Sequence, residues 1–348
     1  MKIAIDCRLL DKKKNTGISR YTEFLLEYYK SRYRKSELII IVNDRINDVD
    51  ITQSITPLRP FRISDFYRFR AYVRTLDVSF LHSPFYSSIH KPIHGVINVT
   101  TVHDLMYRIL PDFFSGNVFV NQLGVIYYNN IVGKSIESSD KVIAVSSTTS
   151  GSIKKYYMAD SVIIPENSCI ASAPDRAILI RHNLTKGSYF FYCGNPRRHK
   201  NLEFIKHVFS TSSNLPTLVL AGPGHVSAGN VLSVGVVNDN ELRALYEDSI
   251  AFVFPSKYEG FGLPILEALH AGTQVVASNI SAFLEFNSPS IHYFDIDSVS
   301  SFVAALDSAR HHPMPTPLSF YESYSDELIY QKIDSFLAQF TDFPMRIV

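Results

Sequence analysis

The stretch YEGFGLPILEALHAGTQVV, residues 258–276, decides how this chain reads. An apolar run, IAFVFPS (250–256), precedes it and ends in a proline, and a second run, TQVVAS (273–278), overlaps its end. Between the runs lie a loop with glycines at 260 and 262 and a short helical segment. Pro264 suits the first position of that helix, where its missing N–H costs no hydrogen bond. Gly272 suits the residue just past the helix end. The segment therefore reads as strand, loop (256–263), helix (264–271), strand. Ligands of open α/β sheets sit at the carboxyl ends of strands, where helix N-termini turn N–H groups outward. Gly260 and Gly262 let the backbone come close to such a ligand. Glu259 lies in the loop, and Glu267 is expected in the first turn of the helix, where the dipole favours its charge. A carboxylate can accept two hydroxyls of a sugar ring or a ribose. Taken singly, each glutamate reads as an ordinary solvated or dipole-complementing charge. Together with the glycines and the proline, the pair reads as a place that holds a phosphate and a polyol.

The same rhythm runs along the whole chain. KIAID (2–6), ELIIIVN (37–43), DVSFLHSP (77–84), HGVINVTTVHD (94–104) and DKVIAVSS (140–147) read as strands. GISRYTEFLLEYYKSRY (17–33) reads as a helix, with Ile18, Tyr21, Leu25, Tyr28 and Tyr29 at helical spacing. Ser147, Thr148 and Thr149 offer N-caps for a helix through Lys154. The pattern restarts with SYFFYCGN (188–195), the helix KNLEFIKHVF (200–209), the strand TLVLAGPG (217–224) and the helix NDNELRALYEDS (238–249). Alternating strands and helices imply parallel sheets covered on both faces. The expected architecture is two Rossmann-like halves, residues 1–170 and 186–323, with a linker near 170–187. YSDELIYQKIDSFLAQF (324–340) has helical periodicity after the second sheet is complete, so it can cap the second domain or cross back onto the first.

A length of 348 residues exceeds one ordinary core and fits two domains. With 46% hydrophobic and 19% charged residues the composition is that of a soluble globular protein. Neither a signal peptide nor an apolar run of membrane-spanning length is legible. Cys7, Cys169 and Cys193 are scattered, which argues for free thiols and a cytoplasmic setting. Net charge is +1, but residues 1–150 carry 20 Lys and Arg against 14 Asp and Glu, and the remainder 14 against 19. The first half is thus the one suited to an acidic partner.

PSKYEGFGLPILEALHAGTQVVASNISAFLE (255–285) resembles the E-x7-E signature of the retaining glycosyltransferases of the GT-B fold, family four. NTGISRYT (15–22) is similar to that family's N-terminal glycine loop, TVHDLMYRILP (101–111) to its His-Asp segment, and YCGNPRRHKNL (192–202) to its basic phosphate loop. GVVNDNELRALYEDSIAFVFPS (235–256) resembles the run before the glutamates, so the likeness spans nearly the whole chain in order. The resemblance implies two Rossmann-like doubly wound domains facing across a cleft, with a nucleotide-diphosphate sugar held mostly by the second. It implies that Glu267 holds the ribose hydroxyls and that Glu259 faces the hydroxyls of the donor sugar. The backbone from Gly260 through Phe261, Gly262 and Leu263 would meet sugar and diphosphate. Lys200 would neutralise the diphosphate and improve it as a leaving group. The family's usual arginine slot after the strand glycine is filled here by Asn195, which leaves Arg197 or Arg198 to serve. Gly222 and Val237 complete the expected donor set. From the first domain, Gly17 would offer its N–H to the diphosphate and His103 would lie near the reaction centre, with Asp104 orienting His103 or its loop.

The implied chemistry is transfer with retention. The acceptor hydroxyl attacks on the face the diphosphate leaves, and a leaving phosphate oxygen takes its proton. No enzyme nucleophile is needed, so neither glutamate is assigned a glycosidase-type role. The style of GISRYT and GNPRRHKN favours GDP-mannose as donor. The acceptor is expected to be a glycan, with lipid-linked surface polysaccharide the favoured case. The competing reading is a non-catalytic scaffold that binds nucleotide sugar. No cofactor and no metal are expected: DVD (48–50) reads as a polar loop, and Asp297 of DID (295–297) as a helix cap. RPFRISDFYRFRAYVRT (59–75) interleaves five arginines with aromatics. Phe66, Phe69, Val73 and Leu76 can face the domain's own core, or the segment can touch an anionic membrane. Nothing resembles a nucleic-acid-binding motif.

Overall fold

The computed structural model of the chain describes residues 2–10, 16–47, 49–110, 112–167, 173–212 and 214–340. Asn15, Asp48, Pro111 and Cys169, named in the sequence reading, lie outside the described residues, as do residues 341–348. The chain divides into two compact units, Met1–Asn167 with Asp326–Val348, and Ser168–Ser325.

The first unit runs β1 (Ile3–Asp6), α1 (Gly17–Arg32), β2 (Leu38–Val42), β3 (Thr52–Ile55), α2 (Ile63–Val73), β4 (Phe80–Ser83), β5 (Ile97–Val102), α3 (Met106–Ile109), α4 (Val118–Glu137), β6 (Lys141–Ala144), α5 (Ser147–Tyr157) and β7 (Val162–Ile163). Its seven strands are parallel and ordered β3-β2-β1-β4-β5-β6-β7. The inner strands IAID and LIIIV are buried end to end, as a sheet covered on both faces requires. The arginine-rich α2 turns Phe66, Phe69 and Val73 into the unit, with Leu76 packed beside them. Ser146, rather than Ser147 or its neighbours, caps α5 by accepting from the Thr149 N–H.

The second unit runs α6 (Ala177–Arg181), β8 (Tyr189–Cys193), α7 (Leu202–Thr211), β9 (Thr217–Ala221), β10 (Val231–Gly235), α8 (Asp239–Glu247), β11 (Ala251–Phe254), α9 (Leu263–His270), β12 (Gln274–Ser278), α10 (Ser281–Leu284), β13 (Ile291–Phe294), α11 (Val299–His311) and α12 (Leu318–Ser323). Its six parallel strands are ordered β10-β9-β8-β11-β12-β13. Residues read from sequence as linker belong to this unit. Arg176 pairs with Asp248 at 2.7 Å and with Glu247 at 2.8 Å, and the Asp175 N–H donates to the Asn240 carbonyl at 2.9 Å. The unit boundary therefore falls at Asn167, earlier than residue 186. Ser298, and not Asp297, caps α11.

The last described helix, α13 (Asp326–Leu337), packs on the first unit. Ile329, Ile333, Phe336 and Leu337 join the core formed by Ile3, Ile5, Tyr28 and Tyr29. Tyr28 donates to Asp334 at 2.7 Å, and Arg32 reaches the same carboxylate at 3.4 Å.

Candidate functional site

Both sheets share one wiring. The chain builds outward from a central strand in one direction, then returns to that strand and builds the other way. The loops at the two central strands diverge at such a switch point and leave a crevice at their carboxyl ends. In the second unit these strands are β8 and β11, and the loops are 194–201 and 255–262.

The two loops meet in an ion pair. Lys200 Nζ stands 2.6 Å from Glu259 Oε1, both side chains mostly covered, with the ammonium 4.8 Å from the Phe254 ring centroid. A second tie, the Lys257 N–H on the His199 carbonyl at 2.7 Å, fixes the loops to each other. Burial pushes His199 down to about 4, so it is neutral at physiological pH and leaves Lys200 as the cation of this pair. Arg197 and Arg198, which precede Lys200, are both exposed. At the root of the β11 loop the buried Ser256 hydroxyl has no hydrogen-bond partner.

Gly262 opens α9 at φ 136°, and a Cβ there would press on the Phe283 and Phe286 rings. Only glycine fits this backbone in this space. Helix α9 begins at Leu263 and places Pro264 second, so Glu267 is the fifth helical residue and not in the first turn. Its charge is therefore answered by something other than the helix end. Glu267 is buried, and Tyr246 donates to its Oε2 at 3.1 Å. Since that hydroxyl has one proton, the Cys193 thiol 2.9 Å from the Tyr246 oxygen is the donor in the next link. Sequence reading did not find Tyr246 as the partner of Glu267, or Cys193 as the partner of Tyr246.

Gly222 follows β9 at φ 126°, where a Cβ would fall under 3.0 Å from the Gly194 carbonyl oxygen. That carbonyl also accepts from His225 Nε2 at 2.7 Å. The glycine's first task is thus to let two strand-end loops touch. Val237 precedes Asn238, whose side chain and that of Glu241 form a capping box at the start of α8.

In the first unit the switch point lies between β1 and β4. Gly17 is the first residue of α1 and is exposed, behind the Thr16 cap. His103 follows β5 and is buried. Its Nε2 donates to the Pro84 carbonyl at 2.7 Å, its Nδ1 hydrogen-bonds Glu166, and Tyr21 meets its ring edge-on. A carbonyl and a carboxylate both accept, so both ring nitrogens donate when the imidazole is protonated. Burial opposes that charge, but the Glu166 hydrogen bond and charge, with help from Pro84 and Asp104, prevail and raise the His103 pKa. Asp104 accepts from the Met106 N–H at 2.8 Å and so shapes the loop. Glu166, 63 positions away, is the residue that orients His103, and no local signal in the sequence links them.

Two acids of the Asp-x-Asp strings have partners among the described residues. Asp50 pairs with Lys35, and Asp295 accepts from the Asp297 N–H at 3.0 Å. No described helix is long and apolar enough to cross a membrane.

Residues 179–323 match the family described as glycosyl transferases group 1. The chain is 29% identical over 294 residues to the O-antigen chain mannosyltransferase RfbU of Salmonella typhimurium, covering 80% of this chain and 78% of that one. In structure it is similar to sucrose-phosphate synthase from Thermosynechococcus elongatus, with TM-score 0.69, 16% identity, and 97% and 98% of the two chains covered. It is also similar to WaaG, a glycosyltransferase involved in lipopolysaccharide biosynthesis, with TM-score 0.67, 13% identity, and 96% and 98% covered. At these identities the two structures show the shared fold.

Proposed function

Because this chain is a glycosyltransferase of the GT-B fold, related to the mannosyltransferases that build O-antigen, we propose that it transfers mannose from GDP-mannose with retention, as a family-four enzyme. The acceptor in this reading is a growing, lipid-linked surface polysaccharide, reached from the cytoplasmic face of a membrane. The observation that carries the reading is the Lys200–Glu259 pair, set in the switch-point crevice of the second sheet with Glu267 buried close along the chain.

The pair explains how a donor is taken up. A diphosphate carries more negative charge than one carboxylate and draws the Lys200 ammonium to itself. Glu259 is then released to accept hydroxyls of the sugar. Glu267, its carboxylate held by Tyr246, accepts from the ribose. The backbone from Gly260 to Leu263 lies along sugar and phosphate, with Arg197 or Arg198 as the second cation, and Gly222 and Val237 border the nucleotide. Gly17 and His103 are the contributions proposed for the first sheet's crevice. His103 is already bonded at both nitrogens, so it acts there as a fixed, charge-bearing wall unless it leaves Pro84.

As the glycosidic bond to the diphosphate breaks, Lys200 neutralises the charge developing on the leaving oxygen. The acceptor hydroxyl bonds to the anomeric carbon from the same face and passes its proton to the departing phosphate. Turnover of a panel of sugar nucleotides with lipid-linked acceptor tests the proposal. Release of GDP from GDP-mannose, with mannose appearing on the acceptor, is the expected result. Release from UDP-sugars alone would overturn the donor assignment.

A further inference from the structure

The loop that leaves β8 spends its backbone hydrogen bonds unevenly. The Gly194 N–H donates to the Ala221 carbonyl at 3.0 Å. Pro196 has no N–H to give. The Arg197 N–H donates at 3.3 Å to the side-chain oxygen of Asn195, which thereby turns back along its own loop. That leaves the Asn195 N–H, from which no described residue accepts. Asn195 is half-buried and stands where this chain departs from the arginine of the family it resembles. An amide left unpaired in such a place carries a cost that an acceptor would remove.

The direction of that N–H follows from the peptide unit it belongs to. The Gly194 carbonyl lies on the β9 side of β8, because Gly222, which follows β9, comes close against it. His225, in the same loop, donates to it from Nε2 at 2.7 Å. Burial pushes the His225 pKa down, so the neutral ring makes this bond, with its proton on Nε2. The Gly194–Asn195 peptide is trans, and a trans unit turns its N–H opposite to its C=O. The Asn195 N–H therefore faces away from β9 and toward β11, the other neighbour of β8. This is the crevice side, where Lys200 meets Glu259. The loop is also held from behind: the Tyr192 hydroxyl donates to the Asn195 carbonyl at 3.2 Å, and Gly224 lies against the Pro196 ring.

We propose that His225 is a positioning residue for the donor: by holding the Gly194 carbonyl it aims the Asn195 backbone N–H into the crevice between β8 and β11, where that N–H donates to a phosphate oxygen of the nucleotide diphosphate. A hydrogen bond to a charged acceptor is about twice as strong as one between neutral groups, and a fixed backbone donor loses no side-chain freedom in making it. Lys200 supplies charge to the same group, and the amide supplies direction. His225 itself touches no substrate. The inference rests on the reading of a nucleotide-diphosphate donor and adds to it a residue from the β9 loop.

The test is titration calorimetry of the full chain with GDP, UDP, guanosine and uridine, joined to NMR of protein isotope-labelled at asparagine nitrogen. His225→Leu loses the ring donor and should bind GDP about tenfold more weakly. His225→Gln offers an amide N–H in place of Nε2–H and should stay within about threefold of the wild type. Guanosine, which has no phosphate, should bind all three proteins alike. On adding GDP the Asn195 amide proton should move downfield in the wild type and in His225→Gln, and much less in His225→Leu. Melting temperatures report folding; where His225→Leu is not folded, the amide response of the wild type carries the test. The proposal is overturned if His225→Leu binds GDP as the wild type does, or loses guanosine as much as GDP. It is equally overturned if the Asn195 amide does not respond to a diphosphate that the wild type binds. A wild type that takes UDP and not GDP sinks the donor assignment alone, and the His225 comparison is then read with UDP and uridine. A wild type that binds neither diphosphate overturns both.

Discussion

Lys200 and Glu259 neutralise each other across two loops, so neither is spare charge waiting for solvent. Glu267 is held differently, by a tyrosine hydroxyl in a buried place. The difference predicts different phenotypes. Glu267→Ala removes the proposed acceptor of the ribose hydroxyls and should weaken nucleotide binding about 10- to 100-fold by titration calorimetry. Unchanged affinity would refute the ribose assignment. Tyr246→Phe leaves Glu267 in place but loosens it, and should cost affinity about threefold while the fold persists. His103 offers a test by pH. Its pKa is raised in the folded state, so the His103–Glu166 interaction stabilises the protein fully below the unfolded histidine value and fades as pH rises through the higher folded value. Glu166→Gln should therefore destabilise by about 1–3 kcal/mol near pH 6 and by much less near pH 9, read from denaturation midpoints. An equal loss at both pH values would mean that the pair is not ionic. Of these residues the glutamates, Lys200 and His103 stand out in the sequence because each lies in a short recognisable string. Glu166, Pro84, Tyr246 and Cys193 do not, because their meaning arises only when distant segments meet.

Among the elements, the strands legible in advance are the inner ones, buried along most of their length. The four that the sequence reading passed over are β3, β7, β10 and β13, the outer strands of the two sheets. TQSI and VLSVG mix polar residues into short segments because one flank is solvated. Helix α4 escaped notice for a related reason: with its apolar face outward and Asn121 inward, it lacks the usual amphipathic pattern. The loop contact between Gly222 and Gly194 is likewise invisible in the sequence. It predicts that Gly222→Ala, strained at φ 126° and pressed against a backbone oxygen, destabilises the second unit by about 2–4 kcal/mol and lowers donor affinity with it. A loss within about 0.5 kcal/mol would show that the loops yield easily.

For the molecule as a whole, two Rossmann-like halves were foreseeable from the alternation of runs, with the first ending at 170 against Asn167 in the structure, whereas the start of the second, read at 186, was not. The stretch around Arg176 looks like a polar linker until its partners Glu247 and Asp248 are seen. Helix α13 is the clearest case of a segment whose role depends on the fold: Ile333 is buried among α1 and β-strand residues more than 290 positions earlier. Ile333→Ala should lower the stability of the first unit by about 2–4 kcal/mol, seen as an earlier transition in urea. If that transition does not move, the helix is not part of the unit's core.

The central claim is that the crevice between β8 and β11 holds a nucleotide-diphosphate sugar through Lys200, Glu259 and Glu267. The direct measurement is the melting temperature of the wild type and of Glu267→Ala against GDP-mannose and UDP-sugars. At a hundredfold excess over Kd, GDP-mannose should stabilise the wild type by about 2.7 kcal/mol, a shift of several degrees, and at the same concentration stabilise Glu267→Ala by only about 0.4–1.4 kcal/mol. A wild type that responds to no sugar nucleotide, or a variant that responds as fully as the wild type, would contradict it.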